Sequence, residues 1–369
     1  MIVQIVPRLP PFTTGVGDYA LALARQLRQD FGIATYFVVG DPNWNGATEV
    51  EDFPIKRVNE RSAKALTSVL AEFSSSTKIL LHYVGYGYAP RGCPFWLVDG
   101  LRQWQIKESK GTLVTMFHEL YAAGYPIWSS GFWTEPVQKY LVARLVSISD
   151  RVITNKPEYA KVLHKLCPGK NQQIPILPVF SNVGEPEKIL PLADRKQQLV
   201  VFGGAGNRLK VYEQSVSALK RVCRELNIQE IIDIGPPLNL LIPEINNIPV
   251  VTLGQQSAEK VSAILQNSWV GFFNYPLDFL TRSTIFAAYC AHCVIPVGTS
   301  YYAWGKEQDG LEENKHYWLV DRQTEELNLF LGDAIAKNAY KWYQDHNLTT
   351  QAKCFANLLE KSLVDVQHK

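Results

Sequence analysis

Arg8 to Leu27 reads RLPPFTTGVGDYALALARQL, and the rest of the chain takes its meaning from this stretch. Before it stands Ile2-Val3-Gln4-Ile5-Val6, apolar on both faces, as a strand inside a parallel sheet must be. Pro10 and Pro11 fix φ and remove donors, so the chain leaves that strand as an extended loop. Gly15-Val16-Gly17-Asp18 then opens an apolar helical run carrying Ala20, Leu21, Leu23, Ala24 and Leu27. Strand, glycine loop and helix in this order aim backbone N–H groups and a helix N-terminus at an anion. The aligned peptide dipoles act there as roughly half a positive charge, which suits a phosphate or a carboxylate.

Gly15-Val16-Gly17-Asp18-Tyr19-Ala20 also fits G-x-G-x-x-A, the dinucleotide fingerprint, with Asp41 after the next strand as a ribose-binding acid. That fingerprint requires its first glycine directly after the strand, and here the eight residues Pro7–Thr14 intervene. A plain glycine turn is the third reading.

At 369 residues the chain exceeds one ordinary core and suits two domains. A net charge of +2 favours neither a nucleic-acid binder nor a strongly acidic partner. Charged residues and prolines interrupt the start before any secretory apolar stretch, and no run is long enough to cross a membrane. The six cysteines are scattered, and Cys290-Ala-His-Cys293 has no second pair to complete a zinc site, so reduced thiols in a cytoplasmic protein are expected.

Strand and helix patterns alternate along residues 1–182. Ile33–Val39, Asp52–Val58, Lys78–Val84, Leu113–Phe117, Arg151–Thr154 and Ile174–Val179 read as strands, with helices over Ser62–Phe73 and Pro94–Trp104 and one starting at Thr134. Residues 183–197, polar and carrying Gly184, Pro186 and Pro191, read as a linker. Over 198–348 the alternation resumes with Gln198–Phe202, the loop Gly203-Gly204-Ala205-Gly206-Asn207-Arg208 and a helix over Lys210–Leu226. Residues 349–369 hold a last helix, Gln351–Val364, with Ala352, Phe355, Leu358, Leu359 and Leu363 on one face.

His118 follows the apolar strand Leu113–Phe117 and so sits at its carboxyl edge, where ligands of open α/β sheets bind. His82 lies one step inside its strand and reads as structural. Arg208 and Lys210 stand at a helix start, where cations oppose the dipole, a mismatch that an anionic ligand would resolve. Arg282, Ser283 and Thr284 form a second helix start suited to an anion, with Asp278 the nearest carboxylate. Aromatics crowd residues 83–133, among them Tyr86, Tyr88, Trp96, Tyr121, Tyr125, Trp128, Phe132 and Trp133. They are expected to pack in core and loops for the most part, with an acceptor surface as the sharper reading.

PPFTTGVGDYALALA resembles the amino-terminal loop of GT-B glycosyltransferases, P-x-x-G-G-x-G-D, with Thr14 in place of one glycine. FAAYCAHCVIPV (Phe286–Val297) resembles the later helix-and-strand segment of glycosyltransferase family 4. The resemblance implies an α/β fold of two Rossmann-like domains facing across a cleft, with the C-terminal helix crossing back to the first. It implies a sugar moved from a nucleotide-diphosphate donor to a glycan, lipid-linked or small acceptor, with retention, no metal, no nucleic acid and peripheral membrane contact.

By the same resemblance Gly15, Gly17, Asp18, Gly203, Gly204, Arg208, Lys210, Arg282, Ser283 and Thr284 hold the donor. His118 and Asp278 serve the sugar, the His118 imidazole donating a hydrogen bond to a hydroxyl. Two departures stand out: R-x-K replaces the family's R-x4-K, and Leu280 and Ala288 occupy the positions of the E-x7-E acids. Those departures are the argument for the alternative, a non-catalytic module that binds a nucleotide or glycan.

Overall fold

The computed structural model describes residues 1–11, 15–108, 110–122, 127–166, 168, 173–240, 242–300 and 310–360. Thr14, Tyr125, Cys167 and positions 361–364 of the expected last helix lie outside the described residues. Two compact units emerge, Met1–Pro178 with the chain from Leu348 onward, and Val179–Asn347.

The first unit is built on seven strands: β1 (Ile2–Val6), β2 (Thr35–Val39), β3 (Glu49–Val50), β4 (Phe53–Arg57), β5 (Lys78–Tyr83), β6 (Thr112–Phe117) and β7 (Arg151–Thr154). Their order is β3-β4-β2-β1-β5-β6-β7, parallel except where β3 turns back on β4. All five residues of β1 are buried because β2 and β5 flank it and helices cover both faces. Those helices are α1 (Gly15–Phe31), α2 (Ala63–Leu70), the single turn α3 (Gly85–Tyr88), α4 (Phe95–Lys107), α5 (Ser130–Ile148) and α6 (Pro157–Leu166). Leu66, Leu97, Leu101, Leu113, Leu141 and Leu145 share one core, each such side chain contributing about 1.5–3 kcal/mol on burial.

The second unit repeats the plan with β8 (Lys196–Phe202), β9 (Glu230–Ile234), β10 (Glu244–Ile245), β11 (Ile248–Gly254), β12 (Ser268–Asn274), β13 (Ile295–Thr299) and β14 (Trp318–Leu319). Here the order is β10-β11-β9-β8-β12-β13-β14, again with one two-residue antiparallel strand at the edge and the unit's first strand in the middle. Its helices are α7 (Ala205–Gln214), α8 (Val216–Glu225), α9 (Ala258–Gln266), α10 (Thr284–Ala291) and α11 (Leu329–Gln344). The last helix, α12 (Leu348–Glu360), returns to the first unit and packs along α1 with Ala352, Phe355, Ala356 and Leu359 buried.

Several expected boundaries move. The chain enters the second unit at Val179, whose N–H donates to Thr281 O (2.9 Å), so residues 183–197 belong to that unit rather than linking two. Ile174–Val179 makes only an isolated bridge from Ile176 to Thr154, because the prolines at 175 and 178 cannot donate to a ladder. The glycine loop is shorter than expected: Gly204 caps α7, which places Arg208 and Lys210 inside the helix. The helix expected over Lys210–Leu226 is interrupted at Ser215, whose hydroxyl is engaged by Thr299 (2.6 Å) and Asn274 (2.8 Å).

Candidate functional site

In the first unit β1, β5 and β6 bring three buried polar side chains into a row. Gln4 Oε1 lies 2.8 Å from His82 Nε2, and His82 Nδ1 lies 3.1 Å from His118 Nε2. The two imidazole planes lie 25° apart with centroids 5.4 Å apart, edge to edge about that bond, and the Tyr19 ring meets both edge-on. His118 is held through its backbone as well, its N–H donating to Tyr83 O (3.0 Å) and its carbonyl accepting from Asn155 Nδ2 (3.2 Å). Burial drives the His82 pKa well below the usual histidine value, and the neighbouring His118 lowers it further. His82, read from sequence as structural, is thus a direct partner of the histidine read as functional.

The α1 start is less demanding than its glycines suggest. A side chain at Gly15 would meet nothing within 4 Å, and only Gly17 is buried. Asp18 sits in the first helical turn, its pKa pushed up to about 6 by burial against the pull of Arg25. Asp41 is buried and paired with Arg8 (2.6 Å) and Arg61 (3.4 Å), so the acid that would serve a ribose already has cationic partners.

In the second unit the carboxyl ends of β8 and β12 meet the start of α10. The pocket there is lined by Phe202, Asn207, Arg208, Asn274, Ser283 and Ile285. Ser283 caps α10, its hydroxyl accepting from Phe286 N–H (3.2 Å). Gly203, at φ +126°, adopts backbone that side chains disfavour, and a Cβ there would lie 2.5 Å from Ile285 Cδ1. Gly204 and Gly206 have open space around them, so the close approach rests on Gly203 alone. Asn274 Oδ1 is buried without a hydrogen-bond partner, whereas its amide nitrogen donates to Ser215.

Arg208 is already paired within the chain. The guanidinium is buried and clasps Asp233 through Nε (3.0 Å) and Nη2 (2.5 Å), with Nη1 donating to Pro236 O (2.6 Å). Tyr212 OH completes the cluster on Asp233 (2.8 Å). The anion that the sequence left unassigned is a carboxylate of the chain itself, and Arg208 lines the pocket as part of a salt bridge. Lys210, two residues further along α7, is half-buried.

Both units and the last helix have counterparts in solved structures. A glycosyltransferase from Rickettsia africae matches with a TM-score of 0.58 at 11% identity, covering 98% of this chain and 99% of its own. The UDP-forming trehalose-phosphate synthase of Burkholderia xenovorans, solved with glucose-6-phosphate, gives 0.56 at 10% identity, covering 98% and 100%. An α-glucosyltransferase in complex with UDP-glucose and DNA gives 0.55 at 11%, covering 98% of each chain. The fold is GT-B. No family model and no curated protein matches the sequence.

In this GT-B chain Leu280 and Ala288, where the resemblance leads one to expect two acids, are buried, 1% and 0% exposed. Asp278 and Arg282 lie on the 3₁₀ segment Leu277–Arg282, the Arg282 guanidinium 5.3 Å from the Phe279 ring, and Thr284 begins α10. Most aromatics of the first unit pack inward as expected, including Tyr83, Tyr88, Trp96 and Trp104. Trp128, Phe132 and Trp133 do not: they are 85%, 40% and 67% exposed at the α5 start. Among the described residues no group of histidine, cysteine and acidic side chains is arranged to hold a metal, and no helix is long and apolar enough to cross a membrane.

Gln4, Tyr19, Asp233 and Asn274 were not singled out from the sequence. Gln4 and Asp233 carried a signal, Gln4 as the lone polar residue of β1 and Asp233 as the lone polar residue of the buried run Ile231–Ile234 in β9. Asn274 carried less, since strand ends are often polar.

Proposed function

We propose that this protein transfers a sugar from a nucleotide-diphosphate donor to an acceptor hydroxyl, with retention at the anomeric carbon. The observation that carries the reading is the pocket of the second unit, where Gly203, the Ser283-capped start of α10 and the unpartnered Asn274 oxygen converge. Helix N–H groups and dipole suit a diphosphate, and an orphaned amide oxygen suits a hydroxyl or N–H donor. The activities named for the similar structures, one bound to UDP-glucose and one UDP-forming, agree with this chemistry.

In this reading the α10 start, Thr284 and Lys210 meet the donor's charge without a metal, Gly203 lets the backbone come close, and Gly204 caps α7 beside it. Arg208 shapes the pocket wall from within its salt bridge. On the first unit Gly15, Gly17 and Asp18 are assigned to the donor and His118 to the sugar; on the second Asp278 is assigned to the sugar, and Arg282 adds positive charge beside Ser283. Trp128, Phe132 and Trp133 form the acceptor side, for a glycan or lipid-linked acceptor at a cytoplasmic membrane surface. The modest net charge argues against nucleic acid as the acceptor.

Titration of the folded protein with UDP-, GDP- and ADP-sugars, followed by donor hydrolysis and transfer assays, tests the reading. One donor is expected to bind and turn over. His118→Ala is expected to reduce turnover far more than donor affinity, because only stabilisation unique to the transition state raises the chemical rate. Binding without turnover would make the protein a nucleotide-sugar binding module; no binding of any donor would end both readings.

A further inference from the structure

The polar row Gln4–His82–His118 fixes where hydrogens can be. With the Gln4 amide turned so that Oε1 faces His82 and Nε2 is buried without a partner, Gln4 only accepts here, so His82 Nε2 carries a hydrogen and donates it across 2.8 Å. A neutral imidazole has one N–H, which leaves His82 Nδ1 as a lone-pair acceptor. The bond from His82 Nδ1 to His118 Nε2 at 3.1 Å is then donated by His118 Nε2. Neutral His118 therefore has its basic lone pair on Nδ1.

Neutrality of His82 follows from its place. It is 0% exposed inside β5, Gln4 is 0% exposed in β1, and Tyr19 closes over both rings. Tyr19 is itself tied down, its hydroxyl donating to Gln351 Oε1 (2.5 Å) while Gln351 Nε2 donates to Pro178 O (2.6 Å). A charged imidazole here would sit in low dielectric beside a second histidine. Three strands and two helices thus hold the pair in one arrangement.

We propose that His82, oriented by Gln4, is a positioning residue that holds His118 in its Nε2–H tautomer and so makes Nδ1 its hydrogen-bond acceptor. Resting on the transferase reading above, this means that a sugar hydroxyl donates to His118. That reverses the sense expected from sequence, where the imidazole was the donor. It also gives a reason for a glutamine in the middle of an otherwise apolar central strand: an apolar residue at position 4 would leave His82 free to take either tautomer.

Full-length protein labelled with ¹⁵N-histidine decides the point through long-range ¹H–¹⁵N correlation spectra, His118 being assigned by loss of its signals in His118→Gln. The wild-type spectrum is expected to show His118 with a protonated Nε2 and a bare Nδ1. Gln4→Leu and His82→Phe should mix the two tautomers of His118. In parallel, Gln4→Leu is expected to lower turnover about tenfold with donor KM within about twofold, since orientation acts on the chemical step. A wild-type His118 protonated on Nδ1 would overturn the proposal, with no variant needed. So would an unchanged His118 pattern in folded Gln4→Leu and His82→Phe. If wild-type protein turns over no nucleotide sugar, the transferase reading fails while the spectra still settle the tautomer.

Discussion

Arg208 shows how far a single residue can be read from sequence. Its charge at a helix start marked an electrostatic mismatch, and an anion does resolve it, but the anion is Asp233, on the neighbouring strand β9. Asp233 was visible as the charge within the buried run Ile231–Ile234 that a strand could not leave unpaired. The pairing of the two was not visible, because only the folded packing of α7 on the sheet brings positions 208 and 233 together. A buried pair broken from one side leaves an uncompensated charge, so Asp233→Ala should lower stability by about 3–5 kcal/mol in urea unfolding. Arg208→Met with Asp233→Leu should cost less than the two single changes together, because neither charge is then stranded. A folded Arg208→Ala of near wild-type stability that no longer binds donor would instead return Arg208 to the list of phosphate ligands.

Among elements, the long periodic ones were legible and the short ones were not. The strands β1, β5, β6, β8 and β12 are each apolar and nearly or fully buried, which gives a continuous signal. The two-residue strands β3 and β10 carry no periodicity at all and exist only because a partner strand is beside them. The α7–α8 break at Ser215 was likewise hidden, since its cause is a hydrogen bond to Thr299, 84 residues away. Helix α12 was readable from the spacing of Ala352, Phe355 and Leu359, and its seat on α1 makes it part of the first unit's core. Phe355→Ala is expected to destabilise that unit by about 3–5 kcal/mol, read as a fall in its urea midpoint. The exposed start of α5 predicts the opposite behaviour. Trp128→Ala with Trp133→Ala should leave stability and donor hydrolysis within about twofold while reducing transfer to acceptor. Equal loss of hydrolysis and transfer would remove this surface from the acceptor side.

For the molecule as a whole, the buried histidines set the response to acid. Burial holds His292 down to about 4 and His346 down to about 3, and drives His82 lower than its ordinary value. His292 is locked as a neutral ring, its Nδ1–H donating to Ala288 O (2.8 Å) while its Nε2 accepts from the Ser262 hydroxyl (2.7 Å). His316 is shifted down as well, by burial and by Lys315. In the unfolded chain these rings titrate near 6.5, so below that pH the unfolded state binds protons that the folded state refuses. Stability from this source is fully present above about pH 6.5 and is lost as pH falls towards the folded values, by about 1.4 kcal/mol per pH unit for each proton. Asp18 works in the other direction: raised to about 6 when folded, it favours the folded state as pH falls from 6 towards its ordinary 3.8. With four histidines against one carboxylate, urea midpoints at pH 7.5, 6.0 and 5.0 should decline in that order. His292→Gln should flatten the decline. A midpoint that holds steady or rises on acidification would mean that these rings are charged in the folded protein. The neutral His82 on which the His118 tautomer depends would then be untenable as well.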